Sequence, residues 1–219
     1  MHFATDYIYH VYNRSNKIIF YNRDNYIFFV NKIRRYIFDY ADILAWVLMP
    51  NHFHIMLVSN AKGAKEIEQT KLPGYQYLSK QIGTLLSSYT KAINKSLKLK
   101  GSLFAHDTNA KPLNEGSDNY TETCFKYIHQ NPLKAKLVHK LSDWEFSSYP
   151  DYAGLRKGSL INKNLAFDIL QIEEDNFINW SSEGFDKDDS KNIFYYHKCQ
   201  ALKKCLAFKL KIIPKHKPS

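Results

Sequence analysis

The chain has 219 residues, is 44% hydrophobic and 15% aromatic, and carries a formal net charge of +10. This composition supplies enough apolar surface for a folded core, which excludes a disordered chain or a coiled coil. No apolar run approaches the ~18 residues of a membrane span, and residues 1–10 lack the order of a secretion signal. We therefore expect a cytoplasmic protein. Three cysteines without a CxxC pair predict reduced thiols.

Charge is distributed unevenly along the chain. Residues 1–159 carry 21 basic and 13 acidic groups, residues 160–190 carry two basic and eight acidic groups, and residues 191–219 carry eight lysines and no acid. We expect a folded domain over 1–155, an acidic mixed extension over 156–190 and a basic tail over 191–219. A basic body with a basic tail is typical of nucleic-acid-binding proteins, although such a tail can equally serve solubility.

Hydrophobic periodicity predicts the order of the secondary structure elements. The predicted elements are a strand over 7–13, a helix from Asp24, two strands over 43–49 and 52–58, a long helix over 78–97, a strand within 103–113, and a helix from Thr121 that ends near Pro132. The two central strands are joined tightly at Pro50 and Asn51, so they should be antiparallel neighbours. This order predicts a ferredoxin-like α+β sandwich with an antiparallel sheet and an additional helix.

Two histidines lie in the third predicted strand. Because side chains alternate along a strand, His52 and His54 should point to one face while Phe53 points to the other. Two imidazoles on one face could bind a metal ion, whereas a histidine pair alone is more often structural. A metal site therefore needs a third partner.

The last predicted helix offers that partner. Tyr127 and Asn131 are four residues apart and should share a face of this helix, which places a phenol beside an amide oxygen. Gln130 is an alternative third ligand, and the sequence leaves the choice between the two amides open. A tyrosine in an amphipathic helix is more often a core residue than a nucleophile, so this pattern alone does not predict catalysis.

Several blocks, read together, resemble one family. The chain is similar to the single-tyrosine transposases of the HUH endonuclease superfamily, specifically their REP-associated branch, and the blocks occur in that family's order over residues 7–155. The matching blocks are 10–14 (HVYNR), 46–57 (WVLMPNHFHIML), 101–104 (GSLF), 127–132 (YIHQNP) with 134–138 (KAKLV), and 147–149 (SSY). The chain departs from the family pattern at Ser15, at Phe146 and at 105–107.

The resemblance implies a role for each motif residue. It implies that His52, His54 and Asn131 bind a divalent cation and that Tyr127 is the nucleophile that forms a 5′-phosphotyrosine. The expected ion is Mg²⁺, and Mn²⁺ could fill the same site because imidazole suits it better. Arg14, Lys126 and Lys134 lie near the motifs in sequence and are candidate contacts to phosphates.

The implied activity is metal-dependent nicking and rejoining of single-stranded DNA near a hairpin, that is, DNA transposition or recombination. The alternative is a hairpin-DNA-binding regulatory protein that descends from such an enzyme and does not cleave, which the departures at Ser15 and Ala105 motivate. A replication initiator or plasmid relaxase fits less well because no second catalytic tyrosine or helicase is evident. The expected partner is DNA rather than a membrane, and the chain could act as a monomer or a homodimer.

Overall fold

The computed structural model describes residues 1–68, 70, 72–105, 107–114 and 119–183. The predicted basic tail and residues 184–190 of the acidic extension lie outside the described residues. The elements are β1 (Ile8–Arg14), α1 (Arg23–Ile37), β2 (Ala41–Met49), β3 (His52–Ser59), α2 (Ala61–Ala64), α3 (Tyr77–Leu97), β4 (Asn109–Pro112), α4 (Tyr120–Lys134), α5 (Tyr149–Tyr152), α6 (Lys163–Leu170) and α7 (Phe177–Ser182), with short 3₁₀ turns at Leu141–Asp143 and Glu174–Asn176. None of the described helices is both long enough and apolar enough to cross a membrane.

The four strands form one antiparallel sheet in the order β2-β3-β1-β4. The mixed architecture and the antiparallel pairing confirm the predicted α+β class. The two central strands are joined as predicted, since β2 and β3 pair through Met49 and His52 on either side of the Pro50–Asn51 connection. This strand order makes β1 and β3 the two inner strands of the sheet, with β1 paired to β3 on one side and to β4 on the other.

The two faces of the sheet are covered by different helices. Helices α1 and α3 pack together over one face, where Phe53 contacts Phe29 and Phe104 at ring-centroid distances of 5.4 and 6.0 Å. Helix α4 lies against β2 and β3 on the opposite face. Strand alternation therefore sends Phe53 into the main aromatic core and turns the two flanking histidines toward α4.

Two predicted elements have more precise bounds in the structure. The strand within 103–113 contains only four residues, because Leu103 and Phe104 are buried in the core and the amide of Asn13 bonds the carbonyls of Ala105 and Asp107 in a loop. Helix α4 does not end before Pro132 but continues to Lys134.

The continuation of α4 through Pro132 has a local explanation. Proline removes one backbone donor, but the next turn is retained because the amides of Ala135 and Leu137 bond the carbonyls of Asn131 and Pro132 at 2.9 Å. Burial of Asn131 against the sheet holds this turn helical despite the steric preference of the residue before proline.

The described part of the C-terminal segment packs onto the same core. Phe177 of α7 is fully buried, and its ring lies 5.1 Å from the ring of Tyr152. The backbone N–H of Asn162 donates to the backbone carbonyl of Ile43 on β2 at 2.8 Å. Among the described residues, the predicted boundary at 155 is therefore not marked by a break in packing.

Candidate active site

The two histidines of β3 face the same side of the sheet. His52 pairs directly with Arg14 of β1, and His54 pairs with Tyr12. The ring centroids of the two histidines are 5.1 Å apart with their planes at 84°. The sequence prediction that both imidazoles share a face, opposite to Phe53, is therefore consistent with the register of the sheet.

His52 is held from two sides. Its Nδ1 lies 2.8 Å from Oδ1 of Asn51, and the side chain of Asn131 on α4 lies close enough to the same ring to raise its pKa. The Nδ2 of Asn131 is buried and has no hydrogen-bond partner among the described residues, so the amide oxygen is the atom that faces His52. This contact joins the strand that carries the histidines to the helix that carries Tyr127.

Tyr127 lies next to the second histidine. Its ring is half-buried and meets the ring of His54 edge to face, with centroids 5.4 Å apart. The ammonium of Lys134, two turns further along α4, lies 5.9 Å from the Tyr127 ring centroid. The structure thus brings together all four residues that the sequence nominated for the metal and the nucleophile.

Strand β1 adds two aromatic residues that the sequence analysis did not nominate. Nε2 of His10 lies 2.9 Å from Nδ1 of His54, and the ring of Tyr12 lies 4.7 Å from that of His10 and 5.8 Å from that of His54. The signal was available, because His10, Tyr12 and Arg14 alternate along a predicted strand and share one face. What the sequence could not supply was the register that sets this strand beside β3.

The histidines of this site are held neutral. Burial, together with the nearby Arg14 guanidinium, lowers the pKa of His52 to about 4 against the opposing effect of the Asn131 side chain. Burial also lowers the pKa of His10 to about 3 and that of His54 well below its usual value. Neutral imidazoles retain a lone pair, which is the form that binds metal ions.

The three predicted phosphate contacts have different surroundings. Arg14 is exposed and close enough to both histidines to lower the pKa of each. Lys134 lies beside Tyr127, and burial lowers its pKa to about 8. Lys126 is buried in ion pairs with Glu122 at 2.9 Å and Glu183 at 3.4 Å. A phosphate contact at Lys126 stays a prediction, and these two ion pairs count against it.

Two polar residues of α4, His129 and Gln130, point to other parts of the molecule. Nε2 of Gln130 donates to the carbonyls of Ser181 and Glu183 at 3.1 and 3.3 Å, so Gln130 joins α4 to the end of α7. Nε2 of His129 lies 2.7 Å from Oγ of Ser148 in the core, where burial lowers the histidine pKa to about 3. Of the two amides that the sequence left open, Asn131 is the one in contact with a histidine.

One further observation concerns whether the side chains around His52 suit a divalent cation. A neutral His52 has a single ring hydrogen, yet amide oxygens of both Asn51 and Asn131 approach its ring. Imidazole nitrogens and amide oxygens are both donors that a divalent cation accepts, so the residues present fit such an ion. In the described ranges, no three His, Cys, Asp or Glu side chains form a cluster that could hold a metal. The assignment of Asn131 as a third ligand stays a prediction.

Comparisons with known proteins found likenesses among solved structures. No family model matches the chain, and a search of curated proteins also found no match. Among solved structures, the chain is similar to a REP-associated tyrosine transposase bound to a REP hairpin, with 15% sequence identity and a TM-score of 0.49. This match covers 74% of the present chain and 95% of the other chain.

Proposed function

We propose that the protein is a metal-dependent endonuclease and strand transferase that acts on single-stranded DNA, with Tyr127 as its nucleophile. The observation that carries the proposal is the convergence of Tyr127 and Asn131 on α4 with His54 and His52 on β3. These residues are far apart in the sequence and lie in the two blocks that are most specific for HUH single-tyrosine transposases. A core tyrosine and two structural histidines would have no reason to meet beside Asn131, whose buried Nδ2 has no hydrogen-bond partner among the described residues.

The proposed reaction conserves the energy of the phosphodiester bond. The phenolic oxygen of Tyr127 attacks the phosphorus atom, the bond from phosphorus to the 3′-oxygen breaks, and the phenolic proton ends on the released 3′-hydroxyl. The products are a 5′-phosphotyrosine and a free 3′-hydroxyl end. Attack by a 3′-hydroxyl on the tyrosine ester reverses these changes and rejoins DNA, which hydrolysis by water would not allow.

His52, His54 and Asn131 would hold the divalent cation. Two imidazoles and one amide oxygen suit Mn²⁺ as well as Mg²⁺, and we take Mg²⁺ as the cellular ion. When bound, the ion supplies Lewis-acid polarisation of a non-bridging phosphate oxygen. The chain contributes the rest: it keeps the imidazoles neutral by burial, and it sets the ring of Tyr127 perpendicular to that of His54, with centroids 5.4 Å apart.

Cationic groups near Tyr127 suit a phosphate backbone. Arg14 lies opposite His52 in the sheet, and Lys134 lies over the ring of Tyr127, so the two side chains flank the site from β1 and from α4. A half-buried phenol on a helix can reach a strand that bends into the site more easily than a duplex. We therefore propose single-stranded DNA, presented beside a hairpin as the family resemblance implies, as the substrate.

A cleavage assay tests the proposal directly. The full chain is incubated with end-labelled single-stranded DNA that contains a hairpin, with Mg²⁺, with Mn²⁺ or with EDTA. We expect a covalent protein–DNA adduct on a denaturing gel in the two metal samples and none in EDTA. Hairpin binding that weakens with salt, without an adduct under either ion, would contradict the enzyme assignment and favour the regulatory DNA-binding protein.

A further inference from the structure

A third histidine lies behind the candidate metal site. His10 is 1% exposed and sits on β1, where its Nε2 is 2.9 Å from Nδ1 of His54. It is not one of the proposed ligands. Its position raises the question of what a buried histidine does beside another buried histidine.

The contact has the geometry of a good hydrogen bond. The two ring planes are only 14° apart, and the ring centroids are separated by 5.0 Å. This separation exceeds the distance between the two nitrogens by roughly the two ring radii, so the rings lie edge to edge rather than face to face. The lone pair of an imidazole nitrogen lies in the ring plane, so the hydrogen bond between the two rings points along that lone pair.

The shared bond fixes where the ring hydrogens are. Two neutral imidazoles that meet through one nitrogen each can place only one hydrogen between them. If His10 donates, the hydrogen of His54 is on Nε2, and that nitrogen has no lone pair for a metal ion. If His54 donates from Nδ1, its Nε2 keeps the lone pair, and Nε2 is the nitrogen left for the side where His52 and Tyr127 lie.

We propose that His10 is a positioning residue: it accepts the hydrogen of His54 Nδ1 and so holds His54 in the tautomer and orientation that present Nε2 to a metal ion. Metal-ligating histidines usually make this bond to a carboxylate or a backbone carbonyl, which raises the basicity of the ligand. A neutral histidine in that role orients the ring with less increase in basicity. The stack of Tyr12 on His10, at 4.7 Å and 23°, holds the acceptor ring in place from the other side. The metal half of this inference rests on the proposed function.

Nitrogen NMR tests the tautomer without metal, DNA or activity. The full chain is labelled with ¹⁵N and measured in EDTA at pH 7.5, with the His54 ring signals assigned by comparison with H54Q. We expect a protonated-type Nδ1 and an unprotonated-type Nε2 for His54. The reverse pattern would overturn the inference, because His10 would then be the donor.

The affinity for Mn²⁺ tests whether His10 supports metal binding by His54. Replacing the acceptor with a ring that cannot accept, H10F, should weaken Mn²⁺ binding by about 10- to 100-fold, and H10Q should recover most of that affinity because its amide oxygen can accept. The matched control is H129F, since His129 is equally buried but bonds Ser148 in the core. We expect H129F to bind Mn²⁺ like the unmodified chain.

The two sets of outcomes separate the inference from the proposed function. Equal Mn²⁺ affinity in H10F and the unmodified chain, or an equal loss in H10F and H129F, would overturn the positioning role of His10. An unmodified chain that binds no Mn²⁺ at all would instead overturn the proposed function, and the NMR result would then decide the tautomer by itself. If H10F does not fold, H10Q and the NMR measurement still carry the test.

Discussion

Asn131 of α4 lies beside the imidazole of His52 on β3, close enough to raise the pKa of that ring, and this proximity joins the helix of the candidate nucleophile to the strand of the candidate metal ligands. The neighbouring amide on the same helix, Gln130, points instead to the end of α7. Two adjacent residues of the same chemical type thus serve two different parts of the molecule. The difference gives a direct test of which amide takes part in the proposed chemistry.

Substitution of the two amides should separate metal binding from stability. We expect N131A to weaken Mn²⁺ binding by at least tenfold, because it removes the only amide oxygen that faces a histidine from α4. Q130A should leave Mn²⁺ binding unchanged and lower the free energy of unfolding by about 1 kcal/mol, since it loses a hydrogen bond to α7. Calorimetric Mn²⁺ titration and urea unfolding measure the two effects. A larger loss of metal affinity in Q130A than in N131A would reverse the assignment.

Two lysines of α4 should contribute differently to DNA binding. Lys134 lies beside Tyr127 on the site face, and we expect K134M to reduce the slope of log Kd against log salt by about one phosphate contact. The ammonium of Lys126 already has two carboxylate partners, so K126M should leave that slope unchanged. Fluorescence anisotropy with a labelled hairpin over a range of salt concentrations gives both slopes. Equal slope changes in the two variants would restore Lys126 as a phosphate contact.

The buried histidines predict loss of stability in mild acid. The folded-state pKa values of His10 and His129 are lowered to about 3, whereas an unfolded histidine titrates near 6.5. Below pH 6.5 the unfolded chain therefore binds protons that the folded chain does not, and the free energy of unfolding falls by about 2 kcal/mol per histidine between pH 7.5 and pH 5. Urea unfolding at both pH values, without divalent ions, measures the change.

One variant isolates a single histidine from this pH effect. H129F removes one of the buried imidazoles from the core, so its stability should fall less steeply with pH than that of the unmodified chain. H139N, at an exposed position, controls for the effect of a substitution as such. An unchanged pH dependence in H129F would show that His129 is already protonated in the folded chain or does not titrate on unfolding.

Two truncations should give opposite results. A chain that ends at residue 155 loses Phe177, which is fully buried against Tyr152, and this loss alone should cost about 3–5 kcal/mol. A chain that ends at residue 183 keeps every described residue and should melt within a few degrees of the full chain. If the eight lysines of 191–219 bind DNA, the second truncation will also show a shallower salt dependence of hairpin binding. Equal stability of both truncations would contradict the described packing of α7.

The sequence predicted the elements better than their boundaries. The strand that carries His52 and His54 could be read because a period of two is unambiguous when aromatic and aliphatic residues alternate with histidines. The end of α4 could not, because the proline rule describes a local steric preference, and tertiary contacts at Asn131 outweigh it. The length of β4 was overestimated for a similar reason: buried Leu103 and Phe104 resemble strand residues but belong to a loop that Asn13 holds in place.

Part of the candidate site could likewise be predicted from the sequence, and part could not. Tyr127 and Asn131 share a helical face, so their proximity follows from spacing alone. The role of His10 depends on the pairing register between β1 and β3, which no local pattern encodes. Lys126 shows the opposite case: it is close to Tyr127 in sequence, but the helix turns its ammonium toward Trp180, 4.4 Å from the ring centroid. Sequence proximity to a motif is therefore a weak guide to which lysine faces the site.

The identity of the nucleophile is the most direct test of the account. Two tyrosines contact the ring of His54, Tyr127 from α4 and Tyr12 from β1, and they are matched competitors for the role. Burial raises the pKa of Tyr12, which keeps its phenol protonated at neutral pH. Both single phenylalanine variants are incubated with labelled hairpin DNA and Mn²⁺, and any adduct is mapped by peptide mass spectrometry. The account predicts that Y12F forms the adduct on Tyr127 and that Y127F forms none; an adduct in Y127F would contradict it.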